Sequence, residues 1–276
     1  MKSSFAHLRV SSEYSIFKGL LSVEKLVEKA KSFGMPAIAL TDHSNMFGLV
    51  KFFKKCEKEG IKPISGSTLN IARSSEDRPY EFLCLAKNID GHKNLMHGLS
   101  KASRNQSKSI LYDDFLNICN DIFVITGCEN SEIFSLILND KENEAVELIK
   151  KYKADFKNNF VIEIQNTGKE SHKIFMASIL PIASRLSIPV IATNDVLFGD
   201  REDFEIHETK VCINSGKTLN DPNREKIYSE EQYFKSQDEM QDLFGDFPDV
   251  LSNTLEIAKQ CNLSIEPDGY FLPEYP

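Results

Sequence analysis

The stretch PAIALTDHSNMFG, residues 36–48, decides the fold. It runs apolar and β-branched to Leu40, then delivers Thr41, Asp42 and His43 ahead of a helix-start signal. A short apolar run bounded by polar residues reads as a buried strand. Before it, residues 22–33 place Val23, Leu26, Val27, Ala30 and Phe33 at helical spacing behind Ser22, a good N-cap, and stop at Gly34. After it, Asn45 is expected to cap a second helix that carries Leu49, Phe52, Phe53 and Cys56 on its apolar face and ends at Gly60. Further strands are expected at IKPISG (61–66), YEFLCLA (80–86), DIFVIT (121–126), NFVIEI (159–164) and PVIAT (189–193). Helical patterns lie near 91–104, 131–152 and 170–186, and from residue 203 onward the pattern turns helical. Such alternation implies an α/β fold with a mostly parallel sheet covered by helices, either a barrel or a doubly wound sheet. No G-x-G-x-x-G or phosphate-loop signature follows the first strand, which favours the barrel.

Composition narrows the function classes. The chain has 276 residues and a formal net charge of -8, with a pI of about 5.4. Its surface repels a phosphate backbone, so little direct nucleic-acid binding is expected. Cys56, Cys84, Cys119, Cys128, Cys212 and Cys261 are scattered singly without CxxC spacing. They read as small buried hydrophobes and reduced thiols of a cytoplasmic protein. No long apolar span points to a membrane. The polar stretches at 74–79 and 103–109 read as turns, and the extended, proline-punctuated GYFLPEYP ending reads as a linker.

In parallel βα architectures the chemistry sits at the carboxyl ends of the strands. Those positions hold His7, Arg9 and Ser11 in HLRVSS, Asp42 and His43 in TDH, Thr68 in GST, Glu163 in VIEIQ, and Asn194 with Asp195 in ATND. Carboxylates and imidazoles converging there are the ingredients of a multinuclear metal site, although a lone Asp-His pair is more often a hydrogen-bonded turn. His7, with apolar neighbours, reads as a buried strand histidine bonded to backbone. His92, His97 and His172 are expected on polar helix faces, and His207, among Asp203, Glu205 and Glu208, at an exposed helix start where negative neighbours could raise its pKa.

The runs FAHLRVSSEYS, LVEKAKSFGMPAIALTDHSNMFGLVKF, GIKPISG, IPVIATNDV, FEIHE and YFLPEYP, in that order, resemble the PHP (polymerase and histidinol phosphatase) domains at the N-terminus of bacterial replicative DNA polymerase III alpha subunits. The resemblance spans residues 5–276. It implies one domain over 1–276, a distorted (β/α)7 barrel, with about 262–276 starting a linker to a polymerase core. Family members with an intact site bind up to three metal ions, zinc or manganese among them, for phosphoester hydrolysis. Here the places of two family histidines hold Arg9 and Ser11, that of a glutamate holds Thr68, and those of two more histidines hold Thr167 and Leu197. Asp42, His43 and Asp195 remain as ligand types, with Glu163 doubtful. A guanidinium about 5 Å from a divalent cation would cost roughly 6–7 kcal/mol at an effective dielectric near 20. The expectation is therefore a degenerate site with no catalytic residue and no bound metal. In its place, Arg9 should lie over the barrel mouth within reach of Asp42, Asp195 or Glu163, relieving repulsion between Asp42 and Asp195. The resemblance implies a brace for the polymerase core of the same chain and a docking platform for the proofreading exonuclease subunit. The alternatives are an active metal-dependent phosphoesterase, such as a 3′–5′ exonuclease or pyrophosphatase, and a free-standing histidinol-phosphatase-like enzyme, against which the ending argues. Magnesium-dependent polymerisation would belong to the parent chain, since the palm aspartates need chain beyond residue 276.

Overall fold

The computed structural model describes residues 5–105 and 108–265. In chain order the elements are α1 (Val23–Ser32), β1 (Ala37–Leu40), α2 (Leu49–Glu59), β2 (Lys62–Ala72), β3 (Tyr80–Ala86), α3 (Ile89–Arg104), β4 (Ile110–Leu111) and α4 (Tyr112–Leu116). They continue with β5 (Ile122–Thr126), α5 (Glu132–Leu138), α6 (Glu142–Phe156), β6 (Phe160–Gln165), α7 (Glu170–Arg185), β7 (Val190–Thr193), α8 (Phe204–Ser215), α9 (Gln237–Phe244) and α10 (Pro248–Gln260). Residues 266–276 of the expected linker lie outside the described residues.

The strands pair in the order β1-β2-β3-β5-β6-β7, and β4 pairs off this path with the far end of β2. The pairs β1–β2, β5–β6 and β6–β7 are parallel, but β3 is antiparallel to both its neighbours. The connection from β2 to β3 covers only residues 73–79, too short for a crossover, so the chain folds back as a hairpin. The barrel closes through an extended segment that forms no regular strand. Ala39 N donates to His7 O and Thr41 N to Val10 O on one side, while Ser11 N donates to Val196 O and Val196 N to Arg9 O on the other.

Local sequence explains most boundaries. Ser22 Oγ accepts from Lys25 N to cap α1, and Gly60, with φ 71°, ends α2 in the left-handed region. Asn45 does not cap α2. A side chain at Gly48, where the helix begins, would put its Cβ 2.7 Å from the Tyr14 ring, and Asn45 instead ties the preceding turn by donating to Tyr14 O and His43 O. The expected helix over 131–152 is two helices, broken at Asn139 to Lys141, with Asp140 at φ 56°.

Helices pack their apolar faces on the outside of the sheet. Inside the barrel, Ala6, Leu8, Ala39, Ile64, Leu83, Leu85, Phe123, Ile125, Val161 and Ile191 form a second apolar cluster. Each Leu, Ile or Phe buried there stabilises by roughly 1.5–3 kcal/mol. Ile257 and Ala258 of α10, with Cys261 just after it, close this cluster from below. Asn253 donates to Val190 O at the start of β7, and Asn262 N to Lys87 O beyond the end of antiparallel β3. All six cysteines are buried and free. No described helix is long and apolar enough to cross a membrane.

Candidate functional site

Above the apolar layers the inward positions turn polar. Glu81 of β3 shares the inward face of Leu83 and Leu85, and Glu163 of β6 that of Val161. Between them enters Arg9 from the closing segment. Its Nε donates to Glu163 Oε2 at 2.9 Å and its Nη2 to Glu163 Oε1 at 2.6 Å, a bidentate fork, while Nη1 reaches Glu81 Oε1 at 2.5 Å. Thr193 Oγ1 donates to Glu163 Oε2 at 2.7 Å, and Lys18 Nζ to Glu81 Oε2 at 3.1 Å. Arg9 is 3% exposed and Glu163 fully buried. Burial alone would raise the pKa of Glu81, but the charges of Lys18 and Arg9 hold it far below the usual carboxylate range. Arg9 and Lys18 are in turn held protonated by these carboxylates against the opposing effect of burial.

Around this network sit the other residues singled out in the sequence. Asp42 Oδ1 accepts from Ser12 N and Ser15 Oγ, and Oδ2 from Ser12 Oγ, at 2.6–2.8 Å. Burial raises its pKa, and these hydrogen bonds only partly oppose the rise. His43 Nδ1 lies 3.1 Å from Thr68 Oγ1 and 3.8 Å from Glu81 Oε2. Burial and then the Lys18 charge drive its pKa to about 4 against the pull of Glu81, so the ring is neutral at pH 7. Asp195 sits beyond the end of β7 at φ 47°, and its Oδ2 accepts from Gln232 Nε2 at 2.8 Å. Its pKa is raised by burial, with Arg9 and Lys18 opposing. Asn194 Nδ2 donates to Glu231 O and Tyr233 O, and Ser11 takes part through its backbone, donating to Val196 O.

Two residues of the expected set belong to packing. Leu197 is fully buried and donates its N–H to Gln232 O. His7 lies between the Phe5 and Phe234 rings with Nε2 2.8 Å from Lys235 O, and burial lowers its pKa to about 4. The expected opposition of Asp42 and Asp195 is not what Arg9 relieves. Serines satisfy Asp42, and the charges acting on Asp195 are those of Arg9, Lys18, Glu81 and Glu163; the guanidinium serves Glu163 and Glu81.

Three histidines differ from their expected solvent positions. His92 is buried with Nδ1 3.1 Å from Ser65 Oγ, and His172 with Nδ1 beside Thr167 and Nε2 3.0 Å from Glu129 Oε1. His207 is fully buried against Phe198 and Tyr228, with Nε2 2.8 Å from Lys18 O. Burial lowers its pKa and outweighs Glu208. Glu81 and Lys18 were missed altogether. The available signal for Glu81 was an acid inside the apolar strand YEFLCLA, where a buried carboxylate demands a cation.

Arg9, Lys18, Glu81, Asp195 and His172 are among the walls of a cavity of about 220 Å³ at the network, which Ile227, Tyr228 and Gln232 also line. The donors do not suit a cluster of divalent cations. Both oxygens of Glu81 and of Glu163 are engaged, a fixed guanidinium stands between them, and Asp42 is spent on serines. Among the described residues no group of three or more His, Cys, Asp or Glu side chains could hold a metal ion.

The PHP domain family matches residues 7–167. DNA polymerase III subunit alpha of Pseudomonas aeruginosa is 40% identical over the whole chain, which covers 24% of that protein. The same subunit of Escherichia coli is 37% identical over 99% of the chain, again 24% of that protein. The chain thus spans about a quarter of the length of these relatives and matches their N-terminal region. A two-domain protein of Bacteroides vulgatus, described as containing a predicted PHP-like metal-dependent phosphoesterase, aligns over 91% of this chain and 63% of its own at 15% identity, with a TM-score of 0.46.

Proposed function

The chain belongs to the PHP domain family, and from that premise we propose that in its parent DNA polymerase III alpha subunit it braces the polymerase core and docks the proofreading exonuclease subunit, with an ion-pair network where family members hold metal. The observation that carries this reading is the Arg9 fork on Glu163 with a third bond to Glu81. A guanidinium keeps its charge at any working pH, so the position that a divalent cation would need stays positively charged and sterically filled. The two imidazoles nearest in sequence to the mouth residues supply no substitute. His43 is neutral but faces Thr68 and Glu81, and His7 is turned to Lys235. What the network does offer is rigidity, tying the closing segment, β3 and β6 at one level of the barrel. A rigid mouth is a suitable support for other domains and subunits. Magnesium-dependent polymerisation is assigned to the remainder of the parent chain.

Metal analysis of the purified chain after exposure to zinc and manganese, paired with phosphoesterase assays on a 3′-terminal nucleotide substrate, tests the reading. Substoichiometric metal and no metal-dependent turnover are expected. A stoichiometric ion with turnover lost on Asp42→Asn would establish the active phosphoesterase instead. Co-purification with the exonuclease subunit tests the docking half, for which a Kd at or below the micromolar range is expected.

A further inference from the structure

Between α8 and α9 the chain makes an excursion, residues 216–236, that contains no helix or regular strand. Its two ends are fixed. Gly216 turns the chain out of α8 at φ 67°, and from residue 232 onward the backbone is stitched back to the barrel, Leu197 N donating to Gln232 O and Phe234 N to Phe198 O. Between these ends none of residues 217–231 is buried. Among the described residues, the backbone of 218–231 makes backbone hydrogen bonds only within the excursion. Its ties to the rest of the molecule run through side chains. Arg224 Nη1 donates to Glu208 Oε2 of α8, Lys169 Nζ to Ile227 O at 2.6 Å, and Ser229 Oγ to Thr167 O at 2.8 Å, while the Tyr228 ring stands edge-on to that of His207 with centroids 4.9 Å apart. A segment with no buried side chain and no backbone ladder to its surroundings belongs to the low end of local stability, well below the sheet it lies on.

This strap borders the ion-pair network. Ile227, Tyr228 and Gln232 line the cavity of about 220 Å³ whose walls also include Arg9, Lys18 and Cys128. A second, wider cavity of about 820 Å³ is walled by Phe204, Glu208, Leu219, Arg224 and Tyr228 among others. Three residues line both cavities, Tyr228, Thr167 and Lys169. The shared wall therefore consists of one strap residue and the two residues to which the strap is tied. We propose that residues 217–231 are a gate: the strap swings about Gly216 and Gln232 while the barrel stays folded, Tyr228 leaves the shared wall, and the two cavities join, admitting water and small polar solutes to Arg9, Lys18 and Glu81. Arg224 is the latch, because its bond to Glu208 is charge-assisted where the others that hold the strap's backbone and Ser229 end on neutral carbonyls. The gate is independent of the docking reading.

Cys128 supplies the probe. Its Sγ lies 4.0 Å from Glu81 Oε1 at the inner cavity, and burial holds the thiol protonated, whereas alkylation needs an accessible thiolate. Cys84, fully buried in β3, becomes reachable only when the sheet itself comes apart. The 276-residue chain is treated with iodoacetamide under native, mildly alkaline conditions, and the labelling rate of each cysteine is followed by peptide mass spectrometry in wild type, Arg224→Ala and Ser229→Ala. Expected in the wild type is faster labelling of Cys128 than of Cys84. The ratio of the two rates should rise about tenfold or more in Arg224→Ala, which loses a charged hydrogen bond, and roughly twofold to tenfold in Ser229→Ala, which loses a neutral one. Taking the ratio cancels any general loss of stability, since Cys84 reports global unfolding in the same sample. Equal rates for the two cysteines in the wild type would overturn the proposal, because the network would then be reached only through unfolding. So would a ratio that both substitutions leave unchanged, which would mean that reagent reaches Cys128 by a route other than the strap.

Discussion

Replacing Arg9 by alanine interrogates the network directly. The change leaves Glu163, fully buried, with Thr193 as its remaining hydrogen-bond donor, and Glu81 with Lys18. Each lost charge pair at about 4 Å is worth roughly 4 kcal/mol at an effective dielectric of about 20, and Arg9 makes two such pairs. The desolvation of the guanidinium, several kcal/mol, is recovered when it is removed. The net loss should therefore resemble that of other broken buried pairs, about 3–5 kcal/mol. For a chain of this size each kcal/mol moves Tm by roughly 2–4 °C, so a fall of about 6–20 °C is expected. Urea unfolding at pH 8 measures it through the midpoint at constant m. Adding Glu163→Gln should restore part of the loss, whereas Asp195→Asn should not, because the fork is on Glu163. Superimposable urea curves for wild type and Arg9→Ala at pH 8 would refute the argument.

Acidification should destabilise the wild-type chain between about pH 6.5 and 4.5. His7 and His43 have folded pKa values near 4, so the unfolded chain takes up their protons first and each can withdraw up to about 3 kcal/mol over this range. The raised values of Asp42 and Asp195 work the other way, so a stability that rises as pH drops from 6.5 would count against the histidine account. Gly127→Ala should lower Tm steeply, because φ is 131° and the new Cβ would lie 2.2 Å from Glu163 O; a Tm within a degree of wild type would contradict that geometry. Zinc or manganese added to the wild-type chain should leave Tm in place, since a site filled at a hundredfold excess over its Kd adds about 2.7 kcal/mol and would be visible in a thermal scan.

The barrel was readable because its signals are local. Apolar runs, the cap at Ser22 and the stop at Gly60 each depend on a few neighbouring residues, and the positions of β1, β3, β5, β6 and β7 followed from them. The direction of β3 was not readable from its own residues; it followed from the shortness of residues 73–79, which the alternation argument ignored. In the site, Arg9 was conspicuous as a permanent charge at a strand end, but its partner depended on which of four carboxylates the barrel brought nearest. His207 was misread because its acidic sequence neighbours do not set its surroundings: Glu205 is exposed and Glu208 is paired with Arg224, while the groups that bury it, Phe198, Tyr228 and the backbone of Lys18, come from elsewhere in the chain. No single-segment pattern encodes that.

The closing segment has a consequence in time. His7 bonds to a residue 228 positions further along, and Arg9 to one 154 positions on. At a synthesis rate of about 5–20 residues per second, residue 235 is made on the order of 10–45 s after residue 7. During that interval the closing segment has β1 to pair with on one side but lacks Glu163, Val196 and Lys235 on the other. Barrel closure is consequently a late event in the life of the nascent chain, because the segment that seals it waits for partners made long after it.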